Sequence, residues 1–178
     1  MRAFISIKLS DDAVEEIKRI QTELKNSGLS EGKLTEEENL HLTLKFLGEV
    51  SEEKVEEVRS RLRKINVKRF KVKLGDIGVF SESFIRIIWI KLEGEELFEL
   101  QKQVDEALDG LFDKEFRFMG HITIARVKKV NNKDKFFEFL KKIKAKEVEF
   151  NVTSFKLMKS ELFPKGPEYK VIEEFFLS

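Results

Sequence analysis

The chain has no cysteine. That excludes disulfides and thiolate metal sites, and with them a stapled secreted scaffold. Proline is nearly missing, with two copies in 178 residues, and no Pro- or Ser-rich stretch reads as a linker. No apolar run approaches the roughly 18 residues that a membrane-spanning helix needs. The opening, "MRAFISIKLSDDAVEEI", lacks the long apolar segment of a signal peptide and turns acidic at once. A soluble, cytoplasmic protein with no membrane partner is expected. Glutamine is scarce at three copies, whereas charged residues reach 38% and are mostly Lys and Glu. That balance is typical of a thermophile and describes the host more than the activity. Histidine occurs only twice.

What remains is enough for a packed body. Apolar residues make up 41% of the chain and Phe alone supplies 17, so one good-sized domain or two small lobes sharing an interface can be filled. Net charge is +1, which neither favours nor excludes nucleic acid. The distribution is more telling. Residues 59–73 hold eight basic residues and no acid, and residues 126–146 hold nine basic against two acidic. Such runs either build a positive face for phosphates or form solvated helix faces.

Periodicity gives the elements. "RAFISIKL" (2–9) reads as a strand. The helix that follows has Val14, Ile17, Ile20 and Leu24 on one face, a cap at Ser10 or Asp11, and a stop at Gly28. A polar loop over 29–38 leads to a strand over 40–47. Ser51 caps a second helix with Val55, Val58, Leu62 and Ile65 inward, and "RFKVKLGDIGVF" is again a strand. Then the order restarts. A strand over 84–92, a helix with Leu97, Leu100, Val104 and Leu108 on one face, and the strand "HITIARV" are followed by the helix "NKDKFFEFLKKIK". Two final strands are "EVEFNVTSFKLMKS", with a break near Thr153, and "EYKVIEEFFL". The β-α-β-α-β order thus occurs twice, over about 2–80 and 84–177, and His41 and His121 fall at matching places. Two copies are too few for a solenoid and imply a two-lobed body with pseudo-twofold symmetry, packed as a single domain over 1–178. Trp89 is expected in the core.

Both histidines stand in the same four-residue pattern: His41-Leu42-Thr43-Leu44 and His121-Ile122-Thr123-Ile124. On a strand, residues i and i+2 share a face. His41 and Thr43 therefore point together, as do His121 and Thr123, while the intervening apolar residues point into the core. With only five threonines in the chain, independent placement would seldom put one two residues after each histidine. If the two strands meet across a cleft, it holds two imidazoles and two hydroxyls. Imidazoles titrate near neutral pH and can serve as base and acid. The hydroxyls can donate to phosphate oxygens. The chemistry this set suits is phosphoryl transfer without a cofactor and without a metal, because no carboxylate stands beside either motif to complete a ligand set. By alternation Lys45 joins the same face, as a candidate for phosphate or RNA. Arg126 falls on the opposite face and reaches the cleft only if its strand bends or twists. Tyr169, the only tyrosine, is a candidate to stack on a base or to sit in the rim. Phe46, Phe80 and Phe84 are further aromatic candidates near the cleft.

The chain resembles the two-histidine phosphoesterases, and within them the LigT-like RNA 2′,3′-cyclic phosphodiesterases. The two His-x-Thr-x motifs carry the resemblance, with "RAFISIKL", "NLHLTLKFLGEV", "IIWIKL" and "GPEYKVIEEFFL" extending it over nearly the whole chain. One departure is Gly120, where many members have proline. The resemblance implies a bilobal α+β fold of two antiparallel β-sheets with helices on their outer faces and a central cleft. It implies hydrolysis of a terminal RNA 2′,3′-cyclic phosphate to a 2′-phosphate. His121 is then the general base on water and His41 the general acid on the leaving oxygen, although pseudo-symmetry allows the reverse. Thr43 and Thr123 hold phosphate oxygens, and Arg126, a basic residue after the second motif, contacts substrate. The basic segments 59–73 and 126–146 suit an approaching RNA 3′ end. Other readings stay open: a 2′–5′ RNA ligase joining tRNA halves, a phosphodiesterase of small cyclic nucleotides, or a binding module without turnover. A monomer is expected, since both lobes complete the site within one chain.

Overall fold

The computed structural model describes residues 1–178. The chain runs β1 (Arg2–Lys8), α1 (Asp11–Ser27), β2 (Ser30–Leu34), a 3₁₀ turn (Glu37–Asn39), β3 (His41–Glu49), α2 (Glu52–Leu62) and β4 (Phe70–Val79). It continues β5 (Ile87–Glu93), α3 (Glu95–Ala107), β6 (His121–Val130), α4 (Lys133–Lys142), β7 (Glu149–Val152), β8 (Ser154–Phe163) and β9 (Gly166–Phe176). The starts of α1, α2 and α4 are set by side chains that take up otherwise unpaired backbone N–H groups. The hydroxyl of Ser10 accepts from the N–H of Ala13, that of Ser51 from Lys54, and the side-chain oxygen of Asn132 from Lys135. Each such cap stabilises its helix by about 1 kcal/mol. Gly28 closes α1 in the left-handed region, φ 66°, where a Cβ would be strained.

The strands form two antiparallel sheets, in the orders β3-β1-β8-β9 and β2-β6-β5-β4-β7. This is an α+β fold. The unit β1-α1-β3 lies in the first sheet and β5-α3-β6 in the second. The strands that follow are exchanged: β4 pairs with β5, and β8 pairs with β1. Each sheet is therefore built from both halves of the chain. One apolar cluster takes Ile17 and Ile20 from α1, Leu97 and Leu100 from α3, Leu42 and Leu44 from β3, and Ile122 and Ile124 from β6. All eight are at most 1% exposed. Full burial of each such side chain contributes about 1.5–3 kcal/mol. The apolar side of both motif strands is thereby fixed against the helices, which leaves their polar side to line the cleft.

One element differs from the sequence expectation. The segment read as a loop contains β2, an edge strand on β6. Its residues, Ser-Glu-Gly-Lys-Leu, show no alternation of apolar and polar side chains, because none of them packs fully into the core. The pairing depends on close approach: a Cβ at Gly32 would lie 2.0 Å from the carbonyl oxygen of Arg126.

Candidate active site

β3 and β6 place their polar residues in one pocket, lined by His41, Thr43, Phe46, His121, Thr123 and Arg126, with Tyr169 beside them. Both imidazoles are held in the same way. His41 Nδ1 lies 2.7 Å from the carbonyl oxygen of Asn39, and His121 Nδ1 lies 2.9 Å from that of Met119. A carbonyl only accepts, so each Nδ1 carries the hydrogen and each Nε2 is the free end of its ring. The Nε2 of His41 lies 2.9 Å from the Thr43 hydroxyl, which donates to it while the ring is neutral.

Aromatic rings fix the imidazoles laterally. His41 packs 5.0 Å from the Phe4 ring and meets Tyr169 edge-on at 5.2 Å. His121 meets Phe80 edge-on at 4.9 Å. Burial lowers the pKa of His41 below its ordinary value. The Asn39 carbonyl opposes that shift and the nearby charge of His121 adds to it. Burial raises that of Tyr169.

Alternation fails in both strands at the same place. Ile5 pairs with Lys45 but Ser6 pairs with Thr43, so Leu44 is an extra residue in β3. Ile88 pairs with Ala125 but Trp89 pairs with Thr123, so Ile124 is the extra residue in β6. Each bulge turns the following residues over. Lys45, expected on the cleft face, is instead 7% exposed in the interior. Its ammonium contacts Asp105 Oδ1 at 2.5 Å and the carbonyl oxygen of Asp113 at 2.6 Å. It is not available to substrate, which corrects the expectation from alternation. The same turn brings Phe46 to the cleft side of β3, where it is 74% exposed. In β6 it turns Ala125 inward and delivers Arg126 to the pocket, through the bend that simple alternation lacked.

The bulge in β6 has its own supports. The carbonyl oxygen of Ile124 accepts from the Thr35 N–H at 3.0 Å and from Gln21 Nε2 at 2.9 Å. The Thr35 hydroxyl donates to the carbonyl oxygen of Thr123. Asn39, whose carbonyl orients His41, donates through Nδ2 to Glu36 and to the carbonyl oxygen of Pro167. Sequence reasoning missed Gln21, Thr35, Glu36 and Asn39. No motif marks them; their contacts are made only when distant segments meet.

Other expected residues sit elsewhere. Trp89 is not core. It is half-buried on the Thr123 side of β5, over Gly78, where a Cβ would come within 2.7 Å of its ring. Phe84 stacks under Arg86 outside the pocket. In the basic run 59–73, Arg59 and Arg63 bind Glu173 and Arg61 binds Glu57. These arginines serve as surface ion pairs, and no residue of that run lines the pocket. Of the run 126–146, Arg126 alone does so.

The family model described as LigT like Phosphoesterase matches residues 7–89 and 90–169. The chain is 42% identical over 177 residues to the RNA 2′,3′-cyclic phosphodiesterase of Methanocaldococcus jannaschii, covering 98% of this chain and 99% of the relative. It is 37% identical to the protein of the same name from Archaeoglobus fulgidus, covering 98% and 99%. Among solved structures, TT0787 of Thermus thermophilus superposes with a TM-score of 0.82 at 27% identity, covering 99% of this chain and 97% of that one. E. coli LigT complexed with 3′-AMP superposes at 0.78 with 25% identity, covering 99% and 98%.

Proposed function

The chain belongs to the LigT-like phosphoesterase family, and on that premise we propose that it is an RNA 2′,3′-cyclic phosphodiesterase. The observation that carries this reading is the matched tethering of the two imidazoles. Each Nδ1 is held by the carbonyl two residues before it, which leaves both Nε2 atoms to work in one pocket. The curated relatives bear that activity in their names. E. coli LigT was crystallised with 3′-AMP, a ribonucleotide with phosphate on one of the two ribose oxygens that a 2′,3′-cyclic ester bridges.

In this reading water attacks phosphorus and the bond to the 3′-oxygen breaks, leaving a 2′-phosphate. His121 takes the proton from water at Nε2. His41 Nε2–H gives one to the departing oxygen. The Nδ1–H to carbonyl bond fits both the neutral and the charged ring, so neither imidazole has to turn during the cycle. The low pKa of His41 makes its charged form a strong donor. The substrate's anionic phosphate, replacing the Thr43 hydroxyl at Nε2, raises that pKa and loads the proton. Thr43 and Thr123 donate to the non-bridging oxygens. Arg126 supplies positive charge, and Phe46 offers an open ring to the base. Tyr169 packs against His41 and supports it. An RNA 5′-hydroxyl in place of water would run the same site toward a 2′–5′ linkage, as for tRNA halves. All of these groups come from one chain, so a monomer suffices.

The test is hydrolysis of a cyclic-phosphate-ended oligoribonucleotide in EDTA, for wild type and for His41→Ala and His121→Ala. Each variant should lose roughly 10²-fold or more. Full turnover in either variant removes that histidine from the reaction. RNA binding without turnover in the wild type moves the assignment to a binding module. A substrate with sulfur in place of the 3′-oxygen separates the roles. Its leaving group needs no proton, so it should rescue His41→Ala and not His121→Ala; the opposite pattern exchanges acid and base.

A further inference from the structure

The two carbonyls that orient the histidines are supported differently. Asn39 is held through its own side chain and a 3₁₀ turn. Met119 lies near the end of residues 108–120, a stretch with no helix or strand between α3 and β6. Something must hold that segment if the Met119 carbonyl is to stay 2.9 Å from His121 Nδ1.

The Lys45–Asp105 pair is placed to do so. Their side chains are 5% and 7% exposed. Lys45 Nζ donates to Asp105 Oδ1 at 2.5 Å and to the carbonyl oxygen of Asp113 at 2.6 Å. Asp105 Oδ2 accepts from the backbone N–H of Glu115 at 2.9 Å and from Gln101 Nε2 at 3.1 Å. Both residues thus grip the backbone of the segment, one at 113 and the other at 115. Further along, Phe118 packs edge-on against Phe98 of α3 at 5.5 Å. The Gly120 carbonyl accepts from the Leu92 N–H at 2.8 Å, at the mouth of β6. Lys45 in turn is anchored in β3, just past the bulge that follows Thr43.

We propose that Lys45 and Asp105 are positioning residues for His121. They fix the segment that presents the Met119 carbonyl, and they tie the second histidine to the strand that carries the first. Two features of the chain argue that this role is specific. The equivalent position in β6 is Ala125, so the first histidine has no counterpart network. And a buried ion pair is weak evidence for stability alone, since apolar replacements of similar volume are often neutral. What such a replacement cannot supply is two hydrogen bonds to the loop backbone. The proposal rests on the phosphodiesterase reading for its effect on turnover, though not for its effect on the ring.

The test uses the double variant Lys45→Met/Asp105→Leu, which removes both charges together and leaves no unpaired ion inside. Because the chain contains only two histidines, ¹⁵N-histidine labelling reports each ring separately. The expected result is a folded protein in which kcat falls about tenfold with KM little changed, which corresponds to ~1.4 kcal/mol in the barrier. The His121 signals should move from the Nδ1–H tautomer toward a mixture, while those of His41 stay in place. Lys45→Gln/Asp105→Asn, which keeps polar side chains at both positions and likewise leaves no unpaired ion, should show the same change at smaller size, and it takes over the test if the first double variant does not fold. Unchanged His121 signals with unchanged kcat in folded protein overturn the proposal. If the wild type does not hydrolyse cyclic phosphates at all, the functional reading fails, and the ¹⁵N signals still decide the positioning role by themselves.

Discussion

The Thr43 hydroxyl lies 2.9 Å from Nε2 of His41. In the proposed mechanism this donor, held against the nitrogen assigned as the acid, is already aimed at the incoming phosphate. Substrate entry then only exchanges its partner. Thr43→Val keeps the β-branched shape and removes the O–H, so the fold should persist while turnover drops. Loss of one aimed donor to a developing charge costs about 10²–10³-fold in kcat. Thr43→Ser should retain most activity. Equal kcat in wild type and Thr43→Val would remove the hydroxyl from the reaction.

The lowered pKa of His41 has consequences for stability and for binding. The folded ring holds its proton less tightly than the free imidazole, mainly because it is buried. Between the two values the unfolded chain binds more protons, so stability rises with pH through that window. The contribution is fully present above the ordinary value of 6.5 and is lost as pH falls through the lowered one. A bound phosphate monoester should reverse the shift by pairing with the charged ring. A ¹⁵N titration should therefore find His41 below the ordinary imidazole value in the free protein and higher with 2′-AMP bound. Proton uptake on binding, measured calorimetrically in two buffers, should agree. A His41 value that ignores the ligand would place the phosphate away from Nε2.

Much of this site is legible before folding, and the boundary of legibility is physical. His41, Thr43, His121 and Thr123 could be grouped because alternation within a strand is local and the apolar partners Leu42, Leu44, Ile122 and Ile124 show which side is buried. The helices were readable from their apolar stripes. Alternation stopped working at Leu44 and Ile124, and it misplaced Lys45 for that reason. A bulge is held by neighbours: the Ile124 carbonyl is satisfied by Gln21 and Thr35, far away in the chain. β2 was invisible because an edge strand with no buried face leaves no periodic mark. The exchange of β4 and β8 between the sheets was equally hidden, since the register of β1 with β8 is set by pairing across most of the chain.

Glu173 illustrates how the basic run 59–73 is used. Arg63 and Arg59 donate to its carboxylate at 2.6 to 2.8 Å and pull its pKa down to about 2. A lowered carboxylate stabilises the fold above its ordinary value of 4.5 and loses that contribution as pH falls toward about 2. Because Arg63 is half-exposed, solvent screens the pair, and Glu173→Gln should cost only on the order of 1 kcal/mol near neutral pH. Urea denaturation at a series of pH values should show wild type and variant converging as acid is added. Activity per folded molecule should not change, since these arginines lie outside the pocket. Parallel curves at every pH would assign the stabilisation to something other than this charge.

Phe46 and Arg126 reach the cleft through the same structural event, a bulge one residue after each threonine. Phe46 offers a ring that is 74% exposed, which is costly to leave in water unless something covers it. A stacked base is worth about 1–3 kcal/mol by alanine substitution. Phe46→Ala should therefore raise KM for an RNA end by about ten- to a hundredfold, with little change in kcat. An abasic ribose 2′,3′-cyclic phosphate should not distinguish the two proteins, because it has no ring to stack. Arg126→Met should weaken both substrates alike, since the role proposed for its charge is to bind phosphate, which both carry. If Phe46→Ala impaired the abasic substrate just as strongly, the ring would be shaping the pocket around His41 instead of holding a base. Its contact with Phe4 at 6.5 Å would then be the place to look.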